Sequence, residues 1–305
     1  MRARLLAALA ALCLALPLAG CAGEGADRTG VVVTTDILGD ITRNIVGDQA
    51  EVTVLMRPGT DPHSFAISAR QAARLEDAAL LVHNGLGLEE GVARHVQAAE
   101  RQGTATLAVG EGVDPIRYTS GKTARMPDPH FWTDPVRAAK AVDLIAERVV
   151  RRVAGVDAAK VRANAAAYRA RVEALDGEMR GRFGAIPAAR RKLVTDHHVF
   201  GYLAGRYGFE VVGAVIPSGT TLASPSGADL ESLAGAVRRA GVRAVFADSA
   251  RPARLAEVMV KETGLAITIV ALHGETLTGP DGDAPTYLRM MRANTGAIAS
   301  ALSGQ

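Results

Sequence analysis

Cysteine is almost absent from this chain: Cys13 and Cys21 are the only two among 305 residues. Aromatic residues are scarce at 4%, which leaves no platform for stacking nucleic-acid bases. Neither sign of charge dominates. The 35 basic and 32 acidic residues give a formal charge of +3 with no basic block, so the footprint of a nucleic-acid binder is missing. After the first twenty residues, no apolar run approaches the length that crosses a bilayer. There is no HExxH pair, no phosphate loop and no repeat at a fixed period. What remains is a globular composition, 48% hydrophobic and 22% charged, which excludes wholesale disorder. At about 150 residues per domain the length predicts two domains.

The N-terminus reads as a targeting signal. Arg2 and Arg4 precede an apolar stretch from Leu5 to Ala19. As a helix that stretch reaches about 22 Å, short of the roughly 30 Å hydrocarbon core of a bilayer. A positive start, a short apolar run and small residues at its end define a secretory signal, here residues 1–20. Its end, Leu18-Ala19-Gly20-Cys21, resembles a bacterial lipobox, which makes Cys21 the expected lipidation site and the new N-terminus. Cys13 leaves with the signal, so no free thiol remains for a disulfide or a thiolate metal site. Residues 21–29 are small and polar and read as a tether.

Beyond the tether, short β-branched runs alternate with helical patterns. Strands are expected at 31–35, 52–56, 79–83 and 104–109, with helices at 37–46, 69–77, 89–101 and 135–153. Such alternation predicts a parallel sheet flanked by helices. From Asp157 to Phe183 the apolar positions Val161, Ala165, Tyr168, Val172, Leu175, Met179 and Phe183 recur every three or four residues. This predicts one long amphipathic helix, capped by Asp157 and stopped before Pro187. The α/β pattern then resumes, with strands at 192–195, 210–215, 242–247 and 266–270 and helices at 199–207, 228–240, 254–263 and 287–302. The fold class is therefore α/β, with two Rossmann-like lobes (30–156 and 188–305) joined by a linking helix (157–187) and a cleft between them.

Three of the seven histidines sit in loops beside predicted strands and helices: His63, His130 and His197. Ligands of open α/β sheets bind at the carboxyl ends of strands. Pro62 and Pro129 restrict the backbone entering two of these residues. Imidazole suits zinc, copper, nickel and iron, and three imidazoles with one carboxylate complete a tetrahedral zinc site. The spacing of 67 residues is not a local metal motif, so each histidine alone is a weak signal. His198, His83 and His95 read as structural. Asp134 and Asp196, beside His130 and His197, are candidates either to accept the second ring N–H of a ligand histidine or to cap helices. Trp132 is expected to pack the cleft wall, and Gly201 and Gly208 to serve turns or close packing.

The pieces Asp61-Pro62-His63, His130-Phe131-Trp132-Thr133-Asp134-Pro135 and Asp196-His197-His198-Val199-Phe200-Gly201-Tyr202 resemble the cluster A-I metal-binding proteins of ABC importers, the ZnuA/TroA group. Val215 to Ser226 and Tyr287 to Thr295 are similar, more narrowly, to the AztC zinc-binding proteins. The resemblance runs in order over nearly all of the chain after Cys21. It implies three metal histidines at His63, His130 and His197 and an acid after the last strand at Glu275. Family members often carry Asp there, so Glu275 departs by one methylene, and His273 is the competing donor. A His-rich zinc-collecting loop, common in the family, is absent from residues 111–129, although Tyr118 to Pro127 remains a candidate flap.

The resemblance further implies no enzymatic activity and Zn2+ as the transported ligand. The implied partners are ABC permease and ATPase subunits, approached by a monomer held to the membrane through lipid on Cys21. A zinc metallochaperone as loading partner stays open. So do Mn2+ or Fe2+ as cargo, a surface adhesin, and a secreted zinc hydrolase in which Glu275 is a base rather than a ligand.

Overall fold

The structure is a computed structural model that describes residues 30–119 and 123–303. The expected signal segment, Cys21 and the tether lie outside the described residues. In the first lobe, β1 (Val31–Val33), α1 (Asp36–Val46), β2 (Val52–Val54), α2 (Ala69–Glu76), β3 (Leu80–His83), α3 (Ala93–Arg101) and β4 (Thr106–Ala108) build a parallel sheet in the order β2-β1-β3-β4. Two helices follow, α4 (Pro135–Arg152) and α5 (Ala158–Gly184). The second lobe comprises β5 (Lys192–Thr195), α6 (Gly201–Tyr207), β6 (Glu210–Ala214), α7 (Gly227–Ala240), β7 (Ala244–Asp248), α8 (Arg254–Thr263), β8 (Thr268–Leu272) and α9 (Tyr287–Ser303). Its parallel sheet has the order β6-β5-β7-β8, so the two sheets repeat one topology.

Alternation along each central strand sends side chains to opposite faces. In β1, Val31 and Val33 enter a core with α1, α4 and α5, while Val32 packs with Leu55, Leu75 and Val96 on the other face. In the second sheet, Leu193 and Phe246 face the former core and Val194 and Val245 pack with Leu233 and Met259. Burial on both faces is what a parallel sheet requires. The central core is continuous between lobes and contains the whole apolar stripe of α5, from Val161 to Phe183.

The Asp157 carboxylate caps α5, accepting from the N–H groups of Ala159 (2.9 Å) and Lys160 (3.2 Å). The helix continues through Gly177 and Gly181 because burial of Met179 and Phe183 outweighs their poor helix propensity.

Several boundaries differ from expectation. The helix expected from Glu89 starts at Ala93. The Glu89 carboxylate instead accepts from the Asn84 and Gly85 N–H groups and the Thr34 hydroxyl, holding the turn after β3. β7 and β8 begin two residues later than expected, because Val242 and Ile267 serve the core or its margin before the ladder starts. Thr34 and Thr35 belong to the turn after β1 rather than to the strand.

Candidate metal centre

Four side chains far apart in sequence meet in the cleft. His63 lies on the loop after β2, His130 after β4, His197 directly after β5 and Glu275 after β8. Each lobe thus presents two, from the carboxyl ends of its strands, as the Rossmann-like topology favours. All four are fully or almost fully buried. Their donor atoms lie within 4.8 Å of one another. Glu275 Oε1 stands 2.9 Å from His63 Nε2, 3.1 Å from His130 Nε2 and 3.3 Å from His197 Nε2, and the first two nitrogens are 3.5 Å apart. Donors at about 2.0–2.1 Å around a tetrahedral zinc stand about 3.3 Å apart. The three distances from Glu275 and the one between His63 and His130 are close to that separation.

The electrostatics suit a cation. Burial opposes charge on Glu275, yet the charge of His197 and hydrogen bonds with His130 and His63 hold its carboxyl well below the usual range. Burial also opposes charge on His197, but Glu275 and the nearby Asp196 carry its pKa up to about 10. His130 is raised too: burial is outweighed by hydrogen bonds to Asp128 and Glu275. Within the described residues, His63 Nδ1 and both ring nitrogens of His197 lack a well-formed hydrogen bond.

The remaining candidates are distributed differently. Asp134 does not reach the ring of His130. It caps α4 through the Val136 N–H (2.9 Å) and pairs with Arg137 and Arg206. Asp196 Oδ2 lies 3.8 Å from His197 Nδ1, too far for a hydrogen bond, and 3.7 Å from Arg251. His273 faces Ser249 (2.9 Å) and Asp283 (3.1 Å), outside the cluster. His198 packs near Tyr118, with ring centroids 6.2 Å apart. Trp132 does line the cleft: its ring lies 5.3 Å from that of His130, and its indole N–H donates to the Gly274 carbonyl at 2.9 Å. In the candidate flap, Tyr118 pairs with Met126 and Arg125 through the backbone, and its hydroxyl reaches both His130 Nδ1 and the Gly219 carbonyl at 3.3 Å. Residues 120–122 lie outside the described residues.

Sequence reasoning missed Asp128. Its Oδ1 accepts from the backbone N–H of His130 (2.9 Å) and lies 2.8 Å from ring Nδ1. An Nδ1–H donated to Asp128 leaves the Nε2 lone pair free for a cation. The signal was the repeated triplet Asp-Pro-His. Asp61 makes the same two-residue turn, accepting from the His63 N–H at 2.9 Å. Gly201 belongs to this arrangement, because a Cβ there would come within 2.8 Å of Asp128 Oδ2. Asp36 and Asp248, which hold the Glu275 loop, were also missed. Burial pushes both of their carboxyls up to about 7.

Residues 31–301 match the family model described as "Zinc-uptake complex component A periplasmic" (ZnuA). Among similar proteins, the zinc-binding protein TroA of Treponema pallidum is 30% identical over 289 residues, covering 93% of this chain and 92% of that protein. The manganese-binding lipoprotein MntA of Bacillus subtilis is 31% identical over 312 residues, covering 99% and 100%. The iron-binding protein YfeA of Yersinia pestis is 29% identical over 276 residues, covering 90% and 87%. The solved structure of TroA superposes with a TM-score of 0.82 at 28% identity, over 91% of this chain and all of that one. The narrower likeness to AztC is not among these matches. The chain belongs to the ZnuA family of extracytoplasmic substrate-binding proteins of metal ABC transporters, which are carriers and not enzymes.

Proposed function

We propose that this protein captures Zn2+ with His63, His130, His197 and Glu275 and delivers it to the permease of an ABC importer driven by its ATPase. The observation that carries this reading is the buried set of three imidazole nitrogens and one carboxylate oxygen, all within 4.8 Å of one another. Nitrogen-rich tetrahedral sites favour zinc, whereas manganese prefers more oxygen. The AztC-like stretches at 215–226 and 287–295 support the same metal. The first of them borders the site, where the Thr221 hydroxyl donates to Asp61 at 2.6 Å. The proposal includes a lipid anchor at Cys21 and lobes at 30–156 and 188–305 joined through 157–187. A single acyl chain anchors only marginally, so stable attachment calls for a second signal.

The test is metal content and competitive titration of the soluble form beginning after residue 21, beside His63→Ala and Glu275→Ala. One tightly held zinc, preferred over manganese and weakened in both variants, is expected. Manganese retained in preference to zinc would refute the metal assignment. Zinc affinity untouched by Glu275→Ala would remove Glu275 from the ligand set.

A further inference from the structure

The loop that carries Glu275 is held from both lobes. Its own lobe supplies Asp248, whose Oδ2 accepts from the Gly274 N–H at 3.0 Å, and Asn294, which exchanges two hydrogen bonds with the backbone of His273. The first lobe supplies three groups. The Trp132 indole donates to the Gly274 carbonyl. The Gly59 N–H reaches both Thr276 Oγ1 (2.9 Å) and the Leu277 carbonyl (3.0 Å). Asp36 Oδ2 accepts from the Thr276 hydroxyl at 2.6 Å and from the Leu277 N–H at 2.9 Å.

Asp36 stands at the start of α1, where an acid ordinarily serves its own helix. Here one oxygen is committed to two consecutive residues of the other lobe, immediately after Glu275. Both Asp36 and Thr276 are buried, so water does not readily replace these bonds when they break. A groove of about 500 Å³ runs between the first lobe and the segment after Glu275, lined by Asp36, Asp40, Arg43, Arg57, Leu277 and Pro280, among others.

We infer that Asp36 is a positioning residue for Glu275: by gripping Thr276 and Leu277 across the lobe boundary it sets how long the metal stays bound. The inference rests on Glu275 being a ligand, as proposed above. Groups that orient a metal ligand without themselves touching the metal typically contribute 10–100-fold to metal affinity. Because the grip holds in place a ligand that must withdraw before the ion leaves, its loss is expected to act on dissociation more than on capture.

The experiment measures zinc dissociation by stopped flow into excess chelator, and association separately, for the wild type, Asp36→Ala, Asp36→Asn, Thr276→Val and Glu275→Ala. Asp36→Ala and Thr276→Val are expected to dissociate roughly 10–100-fold faster with association little changed. Asp36→Asn is expected to recover most of the retention, because the amide oxygen can accept the same two bonds. Cobalt(II) gives a second readout: its visible band, sensitive to coordination geometry, should shift in Asp36→Ala and return in Asp36→Asn. A merely structural role would lower the melting temperature of the metal-free protein while leaving dissociation and the cobalt band as in the wild type. That result, beside a defective Glu275→Ala, would overturn the inference alone. Wild-type zinc binding by Glu275→Ala would overturn the ligand reading and this inference with it.

Discussion

Replacing Asp128 with Asn changes charge beside His130, a proposed metal ligand, while keeping shape. In the native chain, Asp128 Oδ1 holds both the backbone N–H and the ring Nδ1 of His130, at 2.9 and 2.8 Å, in a buried setting. An amide oxygen can accept the same two bonds, so the ring stays in place and only the negative charge is lost. Hydrogen bonds to charged groups contribute about 1.5–3 kcal/mol and neutral ones about 1 kcal/mol. The difference, about 1 kcal/mol, corresponds to roughly a fivefold loss of zinc affinity. Asp128→Ala removes the orientation as well and should approach the upper part of the 10–100-fold range. The effect also depends on pH in a defined direction. Asp128 is one of the groups that raise the His130 pKa, so it favours a proton on this ring as well as a metal. Losing it costs most at alkaline pH, where no proton competes, and progressively less as the pH falls. Competition titrations against a chelator at several pH values measure both features. Equal affinities for the wild type and Asp128→Ala across the range would refute the role given to Asp128.

Zinc binding should release protons. The pKa of His197 is raised from 6.5 to about 10 in the metal-free protein, so its proton stabilises that form fully below about 6.5 and ceases to do so as the pH rises through about 10. A metal must displace this proton at neutral pH, and affinity should climb about tenfold per pH unit for each proton displaced. Calorimetry in buffers of different ionisation enthalpy counts those protons, and a count of zero would contradict the arrangement. Gly201→Ala places a Cβ within 2.8 Å of Asp128 Oδ2 and should cost about 1–3 kcal/mol of stability together with a loss of zinc affinity, read by thermal melts and titration. Asp157→Ala removes the cap of α5 and should cost about 1 kcal/mol in denaturant unfolding while leaving zinc affinity at the wild-type value.

The parts of this molecule that were legible in sequence are those with local signatures. The stripe of α5 shows because helical period and burial coincide at Val161 through Phe183. The strand and helix alternation shows the two-lobe fold for the same reason. His63 and His197 stand out because each lies in a loop after a strand, His130 because it precedes a helix, and two of the three follow a proline. The supporting carboxylates were hidden. Asp36 acts on a residue 241 positions away, and no local pattern encodes such a contact. Asp128 was visible only as the first letter of a repeated triplet. Asp134, adjacent to the histidine motif, was open between a helix cap and a partner for a ligand ring, and the structure uses it as the cap. Its side chain is committed to the start of α4 and to Arg206, which also pairs with Asp176 on α5. Adjacency in sequence put it near the metal site, but backbone geometry turned it toward the helix.

The shared core bears on how a buried ion leaves. A rigid opening of the lobes would have to separate α9 from α5 and α1, where Ile298, Tyr287 and Leu302 join the same core as Val31 and Leu80. It would also break the bonds from the Tyr287 N–H to Asp40 (2.9 Å) and from the Tyr287 hydroxyl to the Trp132 carbonyl (2.8 Å). Close-packed interiors resist such displacement, since each separated contact is lost outright. The Glu275 loop presents a much smaller barrier. Its ties to the first lobe are hydrogen bonds to Asp36 and from Gly59 and Trp132, each contributing about 0.5–3 kcal/mol net, and the packing of Leu277 at the core. Breaking them removes one of four donors and leaves three histidines fixed on rigid strand ends. Loss of the carboxylate also removes the negative charge that raises the pKa of His197, so the open site holds the cation less tightly on electrostatic grounds as well. A permease that pulls this one loop outward therefore meets less resistance than one that must part the lobes.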